Sequence, residues 1–396
     1  MERMRRIRAD ISKADSAERF AKYGGVDVYL GHAHFIDTNQ VLVNGKVLQF
    51  VRACIASGAR PFVPEYPGVG EIRYHTSDSI FNLQVQPKRL LVVGSGPIGC
   101  ELGQGFARLG TEVVMFERGG SFLPKDDQDS AAYLKKQMEQ DGVQILMHTQ
   151  IRQFSKSGLD GEPIKVRYQT GTSISEDEST FDAVLFATGR QPNVENMGLE
   201  KARVNYDRSG IIVNNNLRTS NNRIFSCGDC IQGPKFTHNS DVQARMVLRN
   251  AFFFGSGRKD KIILPYCTYT DPEVASVGMN EQALRAANIQ YDVYAKGFDH
   301  NDRALCESAR GLYKVYTVRG KDEILGATLV GGPAGDLISI ITVAMFNKIG
   351  LRQLAACVYP YPTYAEIFKQ LGDAFGRTIL TPNTKGLLKK LVKMTI

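Results

Sequence analysis

Between Lys88 and Met147 the chain alternates short apolar runs with amphipathic stretches. Lys88-Arg89-Leu90-Leu91-Val92-Val93 is a β-branched apolar run. It passes straight into Gly94-Ser95-Gly96-Pro97-Ile98-Gly99 and a helix-compatible stretch that ends at Leu109-Gly110. Thr111 to Glu117 returns to strand character, which completes a unit of roughly 30 residues, the length of a right-handed βαβ crossover. Asp129 to Asp141 predicts a helix stopped by Gly142, a residue suited to the left-handed position after a helix end, and Val143 to Met147 predicts the next strand.

The period then changes. Ile151 to Asp182 alternates in short segments broken by Gly158, Gly161 and Gly171, the pattern of an inserted β-meander. Phe181 to Phe186 predicts a buried strand leading into Ala187-Thr188-Gly189-Arg190. In the last third, Val293 to Phe298, Leu312 to Val318 and Ile324 to Val330 predict antiparallel strands, followed by an apolar helix from Asp336 to about Asn347, an α+β arrangement. Composition and period shift near residues 88, 206 and 259, dividing the chain into 1–87, 88–206, 207–258 and 259–396.

Composition narrows the class. With 43% hydrophobic and 23% charged residues, 38 Gly and 15 Pro, the chain has the make-up of a soluble α/β protein rich in tight turns. No apolar run reaches the ~18–20 residues of a bilayer crossing, so no membrane partner is expected. The basic start, Met1 to Arg8, lacks an apolar core and is followed by Asp10, Asp15 and Glu18, unlike a targeting peptide. Cytoplasm or an organelle interior is therefore the expectation. The seven cysteines (54, 100, 227, 230, 267, 306, 357) are odd in number and scattered, which argues against a secreted disulfide framework. The net charge of +8 comes from dispersed Lys and Arg rather than one block, so a nucleic-acid partner is not expected.

Gly94-x-Gly96-x-x-Gly99 carries the strongest chemistry. Gly94 permits a tight turn, Gly96 lets backbone approach a pyrophosphate, and Gly99 lets the helix pack on the strand. The helix N-terminus offers unpaired N–H groups to phosphate. Glu117 stands at the end of the second strand, at the ~20-residue offset where a ribose hydroxyl is read. Its carboxylate would repel a 2′-phosphate, so NADH is favoured over NADPH, with the neighbouring Arg118 tempering that preference. Arg223 to Cys230 forms a second strand ending at Gly228-Asp229, whose carboxylate could accept hydrogen bonds from a sugar-like chain or serve a plain turn. Cys227-x-x-Cys230 has a spacing shared by redox, zinc and structural pairs. No second pair stands at metal-ligand spacing, so no metal site is expected.

Four ordered segments now resemble the markers of class I pyridine nucleotide-disulfide oxidoreductases. They are Cys54 to Pro61 with Ser57-Gly58, Gly94 to Glu101, Ala187-Thr188-Gly189-Arg190-Gln191-Pro192-Asn193, and Ser226-Cys227-Gly228-Asp229. Tyr269 to Gly278 and Ile324 to Ile338 resemble the same family's dimerisation domain. The resemblance implies doubly wound FAD- and NAD(P)-binding domains with a C-terminal α+β domain that forms a homodimer. It implies that the unit with Gly94, Gly96, Gly99, Glu117 and Arg118 serves NAD(P)H, that Ser57, Gly58, Gly228 and Asp229 serve FAD, and that Gly189 is a further cofactor-binding residue. Glu101 would lie where nicotinamide stacks on flavin. Tyr361-Pro362-Thr363-Tyr364-Ala365-Glu366 matches the family's His-Pro-Thr-x-x-Glu with tyrosine in the histidine position, as in mercuric reductases. Tyr361 and Glu366 are thus catalytic candidates, and a packed interface aromatic is the other reading of Tyr361.

The sequence departs from the family in two places. Neither a first G-x-G-x-x-G for the ADP half of FAD nor a C-x-x-x-x-C redox pair occurs, and the C-terminus carries no vicinal cysteines. The expectation is a flavoprotein whose FAD domain is incomplete, holding FAD weakly and turning over no disulfide as written. Its intact relative would pass hydride from NAD(P)H to flavin and on to a disulfide, a metal ion or another small acceptor. A non-catalytic NAD(P)-binding or dimer scaffold is the alternative.

Overall fold

The computed structural model describes residues 1–156, 163–173, 175–253 and 255–395. Gly158 and Gly161 lie outside the described residues. The chain forms two compact units. Met1–Glu65, Arg73–Pro87 and Leu185–Ile262 make the first, and Tyr66–Ile72, Lys88–Val184 and Ile263–Ile396 make the second.

In the second unit the run before the glycine turn becomes the strand Arg89–Val93, pairing in parallel with Glu112–Phe116, which pairs in parallel with Gln144–Leu146. Four of its five residues are buried, as continuous apolar runs in parallel sheets require. The helix Pro97–Arg108 follows at once, with Pro97 in its first turn and Gly96 at its N-cap. Proline suits that position because its φ is already helical and its missing N–H has no partner to lose. Gly103 lets this helix pack closely on the sheet: a Cβ there would sit 3.2 Å from Met115 Cε. The helix Gln128–Gln140 ends as anticipated, with Gly142 at φ +91°.

The inserted meander is a three-stranded antiparallel sheet of Thr149–Lys156, Ile164–Thr170 and Asp177–Phe181 with Ile164–Thr170 in the middle. The single strand expected over 181–186 is two strands. Asp182 breaks it, because its N–H donates to Arg89 O at 2.9 Å while its carboxylate accepts from Arg89 N at 2.8 Å. The chain therefore leaves the antiparallel sheet at Phe181 and joins the parallel one at Ala183–Phe186.

The C-terminal sheet has five antiparallel strands in the order Pro265–Thr268, Val274–Gly278, Ile324–Val330, Leu312–Val318, Tyr291–Gly297. The first two were not anticipated as strands. Proline and glycine bound them and Thr270-Asp271-Pro272 interrupts them, so local signals read as loop, whereas burial of Val274, Ala275, Ser276 and Val277 decides for strand. The apolar helix is Ala334–Phe346. It buries Ala334, Ile338, Ile341 and Ala344 and leaves Val343 and Phe346 57% and 74% exposed.

The first unit is β-rich. His34–Asp37, Gln40–Val43 and Lys46–Gln49 form a meander, Ala53–Ile55 pairs in parallel with Ile224–Ser226, and Ala59–Pro61 pairs antiparallel with Arg190–Pro192. Phe35, Ile55, Leu217, Phe225 and Ile231 build its core. The helices Glu2–Ser12 and Ala17–Ala21 bury no residue.

A run of acids ties the nucleotide-type sheet to the C-terminal sheet within the second unit. Asp127 Oδ2 accepts from Tyr316 Oη at 2.6 Å and Thr328 Oγ1 at 2.8 Å, and Asp129 holds the buried Lys314 at 2.8 Å. Asp126 is 4% exposed, and its Oδ1 has no hydrogen-bond partner. Burial pushes its carboxyl up to about 6, with Tyr266 opposing and Asp127 adding to the shift. A folded-state value above the unfolded one means that the folded chain keeps a proton the unfolded chain has already released. Asp126 therefore favours folding below about pH 4, and that contribution is lost as pH rises to about 6. At pH 7 the deficit is on the order of 2–3 kcal/mol. Asp126→Asn removes the titration. Thermal melts should show the variant gaining more over the natural chain at pH 7 than at pH 4, and an equal difference at both values would refute this account.

Candidate functional site

The glycine turn is shaped for a dinucleotide. Gly94 adopts φ +106° and its N–H donates to Phe116 O at 2.8 Å, so the turn closes over the end of the second strand. A Cβ on Gly96 would meet nothing within 4 Å, which leaves open space in front of the backbone. The helix start has no side-chain cap, so its first N–H groups remain available to an anion. Gly99 is buried on the helix face.

Glu117 does more than sequence reasoning assigned to it. Its Oε2 accepts from Ser95 N at 3.0 Å and Ser95 Oγ at 2.7 Å, and its Oε1 accepts from Gly119 N at 2.6 Å. The carboxylate braces the glycine turn while keeping one acceptor site for a ribose hydroxyl, since an ionised carboxylate has about four and three are taken. Ser95, a middle residue of the motif, was missed because its partner lies 22 residues away. Arg118 is exposed beside it. These residues fit the adenosine and pyrophosphate of NAD(P)H.

Glu101, one turn into the same helix, is half-buried and accepts from Tyr269 N at 2.9 Å. Burial raises its carboxyl above the usual range and the Tyr269 hydrogen bond opposes that. Nearby, Gln104 accepts from Asp271 N at 2.8 Å.

The flavin-type candidates lie in the first unit. Ser57-Gly58 and Gly228-Asp229 follow two paired parallel strands, Ala53–Ile55 and Ile224–Ser226. Ser57 Oγ donates to Asn193 O at 2.7 Å and Asn193 N donates to Gly58 O at 2.9 Å, so the Thr188-Gly189-Arg190-Gln191-Pro192-Asn193 segment is stitched to this loop. Gly189, at φ +116°, lies here in the first unit. Arg190 Nε stands 3.4 Å from Asp229 Oδ2, an ion pair signalled in sequence only by the arginine after Gly189. Gly228 N donates to Gln243 Oε1 at 2.8 Å. This arrangement fits the sugar end of FAD. Among the described residues of the first unit no strand–glycine turn–helix stands ready for the FAD pyrophosphate, so the fit to the whole group is partial.

Tyr361 is 70% exposed, and its hydroxyl donates to Asp302 Oδ2 at 2.6 Å. That bond raises the phenol above its ordinary value, so the group serves as a hydrogen-bond donor rather than a neutral-pH base. Glu366 opens the helix Glu366–Ile379. Asp302, 59 residues from Tyr361, had no signal in the sequence. Among the described residues no cluster of three or more His, Cys, Asp or Glu is placed to hold a metal ion, and no helix is long and apolar enough to cross a membrane.

A parallel sheet with an open glycine turn and braced carboxylate, carried with a C-terminal antiparallel sheet, has the make-up of a dinucleotide-binding protein. The chain belongs to the pyridine nucleotide-disulphide oxidoreductase family: residues 4–244 match that family's model, and residues 264–371 match its dimerisation domain. Membership implies FAD and NAD(P)H as the cofactors. The chain is 32% identical to a mercuric reductase of Staphylococcus aureus, over 90% of this chain and 64% of the relative. It is also 32% identical to a dihydrolipoyl dehydrogenase of Thermus scotoductus, over 88% of this chain and 75% of the relative. The HOCl-induced flavoprotein disulfide reductase RclA of Escherichia coli superposes with a TM-score of 0.83 at 25% identity, covering 92% of this chain and 83% of that one. The chain spans 64% and 66% of the mercuric reductases of Staphylococcus aureus and Acidithiobacillus ferrooxidans.

Gly96 supplies a direct test of the turn. Its backbone, at φ −75°, suits any residue, so Gly96→Ala should change stability by under about 1 kcal/mol. The added methyl group occupies the space a pyrophosphate needs, and NADH affinity by titration calorimetry should fall about tenfold, or ~1.4 kcal/mol. Unchanged affinity would remove this turn from the binding site.

Proposed function

We propose that this chain is an FAD-dependent NAD(P)H oxidoreductase of the disulfide or mercuric reductase type, acting as a homodimer on a disulfide, a metal ion or another small acceptor. The open glycine turn braced by Glu117 carries the reading. In it, NAD(P)H binds within residues 88–206, at the part before Leu185, residues 1–87 and 207–258 face the flavin together with the loop 188–193, and residues 259–396 dimerise. NAD(P)H supplies the hydride and FAD relays it when bound. Gly94, Gly96 and Gly99 present backbone to the pyrophosphate of NAD(P)H, and Glu117 orients the ribose. Glu101 sits on the reacting side of the same helix, where its raised carboxyl can hold a proton. Asp229, set by Arg190, hydrogen-bonds the flavin's sugar chain beside Ser57-Gly58. Tyr361 and Glu366 act at the acceptor, with Tyr361 donating a hydrogen bond. The exposed Val343 and Phe346 of the C-terminal helix support a second copy of this chain as partner.

An absorbance spectrum of the purified chain, followed by NADH titration, tests the proposal. With FAD added, because the partial site holds it weakly, a flavin band bleached by NADH is expected. NADH binding without a flavin band would instead favour the alternative of a nucleotide-binding scaffold.

The cofactor preference rests on Glu117, whose carboxylate accepts from ribose hydroxyls and repels a 2′-phosphate. NADH should bind more tightly than NADPH. Glu117→Gln keeps an acceptor near Ser95 while removing the charge, so it should narrow the ratio of the two dissociation constants, chiefly by improving NADPH. Equal affinities in the natural chain would overturn the preference.

A further inference from the structure

Cys227-x-x-Cys230 draws attention in the sequence, yet the structure gives Cys227 a different partner. The paired parallel strands set Cys54 beside Phe225 and Ile55 beside Ser226, and Cys227 N donates to Ile55 O at 3.1 Å. Side chains alternate across a sheet, so Cys54, Phe225 and Cys227 share a face. Cys54 Sγ and Cys227 Sγ consequently lie 3.6 Å apart, joined by a shared S–H. Cys230 turns elsewhere: its thiol reaches Cys227 O at 3.2 Å and Ser226 Oγ at 3.3 Å in the buried core.

We propose that Cys54 and Cys227 form a reversible disulfide when the chain meets a small peroxide, a site of thiol modification distinct from the Cys227-x-x-Cys230 pair. A side-chain shift of about 1.5 Å would bring the sulfurs to bonding distance. Cys54 is exposed and borders a cavity of about 910 Å³ lined also by His32, His34, Phe35, Ser57 and Arg60, so oxidant reaches this sulfur first. Cys227 is 5% exposed and stands behind it.

The shared proton sets the order of events. The hydrogen bond from Cys54 lowers the Cys227 thiol, and the same contact, with burial, raises Cys54. One proton thus leaves the pair readily and the other stays between the sulfurs. Cys54 attacks a peroxide oxygen as its proton passes to the Cys227 thiolate. The O–O bond breaks, hydroxide departs, and Cys54 becomes a sulfenic acid. The departed hydroxide takes the proton from Cys227 and becomes water. Cys227 then attacks the Cys54 sulfur, the S–S bond forms, the S–O bond breaks, and a second hydroxide leaves. Counted from the neutral pair, two thiols lose two electrons and one peroxide becomes two waters. A dithiol reductant reverses the bond by exchange.

The experiment uses the full chain, reduced and then treated with hydrogen peroxide, alkylated under denaturing conditions, digested without reductant and analysed by mass spectrometry. The expected product is a peptide pair linked through Cys54 and Cys227, released by dithiothreitol. Cys230→Ser should keep the link, and Cys54→Ser should abolish it while circular dichroism stays unchanged. A Cys227–Cys230 link would overturn the proposal. So would recovery of Cys54 and Cys227 as free thiols at a peroxide dose that oxidises the exposed Cys306 and Cys357. If Cys54→Ser does not fold, the Cys230→Ser result and the identity of the natural chain's linked peptide still decide the matter.

Discussion

The carboxylate of Asp127 is the constraint on which the second unit depends. It sits at the start of the helix Gln128–Gln140 but does not cap that helix. It crosses instead to the C-terminal sheet, where Tyr316 and Thr328 donate to it, and the backbone N–H of Glu281, at the start of the helix Glu281–Ala286, donates as well. Lys314, 4% exposed, lies 3.7 Å from it and is neutralised mainly by Asp129. A buried lysine without a partner costs about 3–5 kcal/mol, so the two acids and the lysine must be placed together. The helix that follows the second strand of the nucleotide-type sheet is thereby held against the antiparallel sheet, and Asp126 bears an unfavourable ionisation as a consequence of that placement.

The same joint positions the site chemistry. The helix that starts at the glycine turn carries Glu101, Gln104 and Arg108 along one side, and all three reach the loop after the strand Pro265–Thr268. Glu101 holds Tyr269 N, Gln104 holds Asp271 through both donor and acceptor, and Arg108 pairs with Asp271 and Asp141. Glu101 is therefore half-buried and oriented because a helix that presents phosphate-binding backbone at one end is anchored by its flank. Phosphate-facing backbone and the Glu101 carboxylate share one element, so disturbing the anchor would move that carboxylate.

The first unit has less to work with. Its parallel pairing among the described residues is the short contact of Ala53–Ile55 with Ile224–Ser226 and the isolated bridges of His75 with Leu185 and Ile211 with Ile231, and its loops are held by side chains: Asn193 on Ser57, Arg60 on Glu195, Arg190 on Asp229. The Arg60 guanidinium holds the Glu195 carboxyl down at about 2. Both groups are partly exposed, so this bridge contributes little to stability. It serves chiefly to fix the loop. The thiol pair at the same strands shows how a two-strand contact can bring together side chains that are 173 residues apart.

Local order in the chain determined the βαβ unit, the glycine turn, the meander and the antiparallel strands 312–318 and 324–330, because each rests on periodicity or on a turn residue within a few positions. The ordered motifs likewise determined the family. Tertiary structure decided what depends on distant partners. Burial made strands of Pro265–Thr268 and Val274–Gly278, and Asp182 divided the expected strand at 181–186 by bonding Arg89 on a neighbouring strand. Ser95 tied Glu117 to the turn, Asp302 took the Tyr361 hydroxyl, and Cys54 rather than Cys230 came to lie against Cys227. A spacing in sequence cannot reveal these pairings, because a strand brings its neighbour's side chains to it only when the sheet has formed and each residue's face has been set.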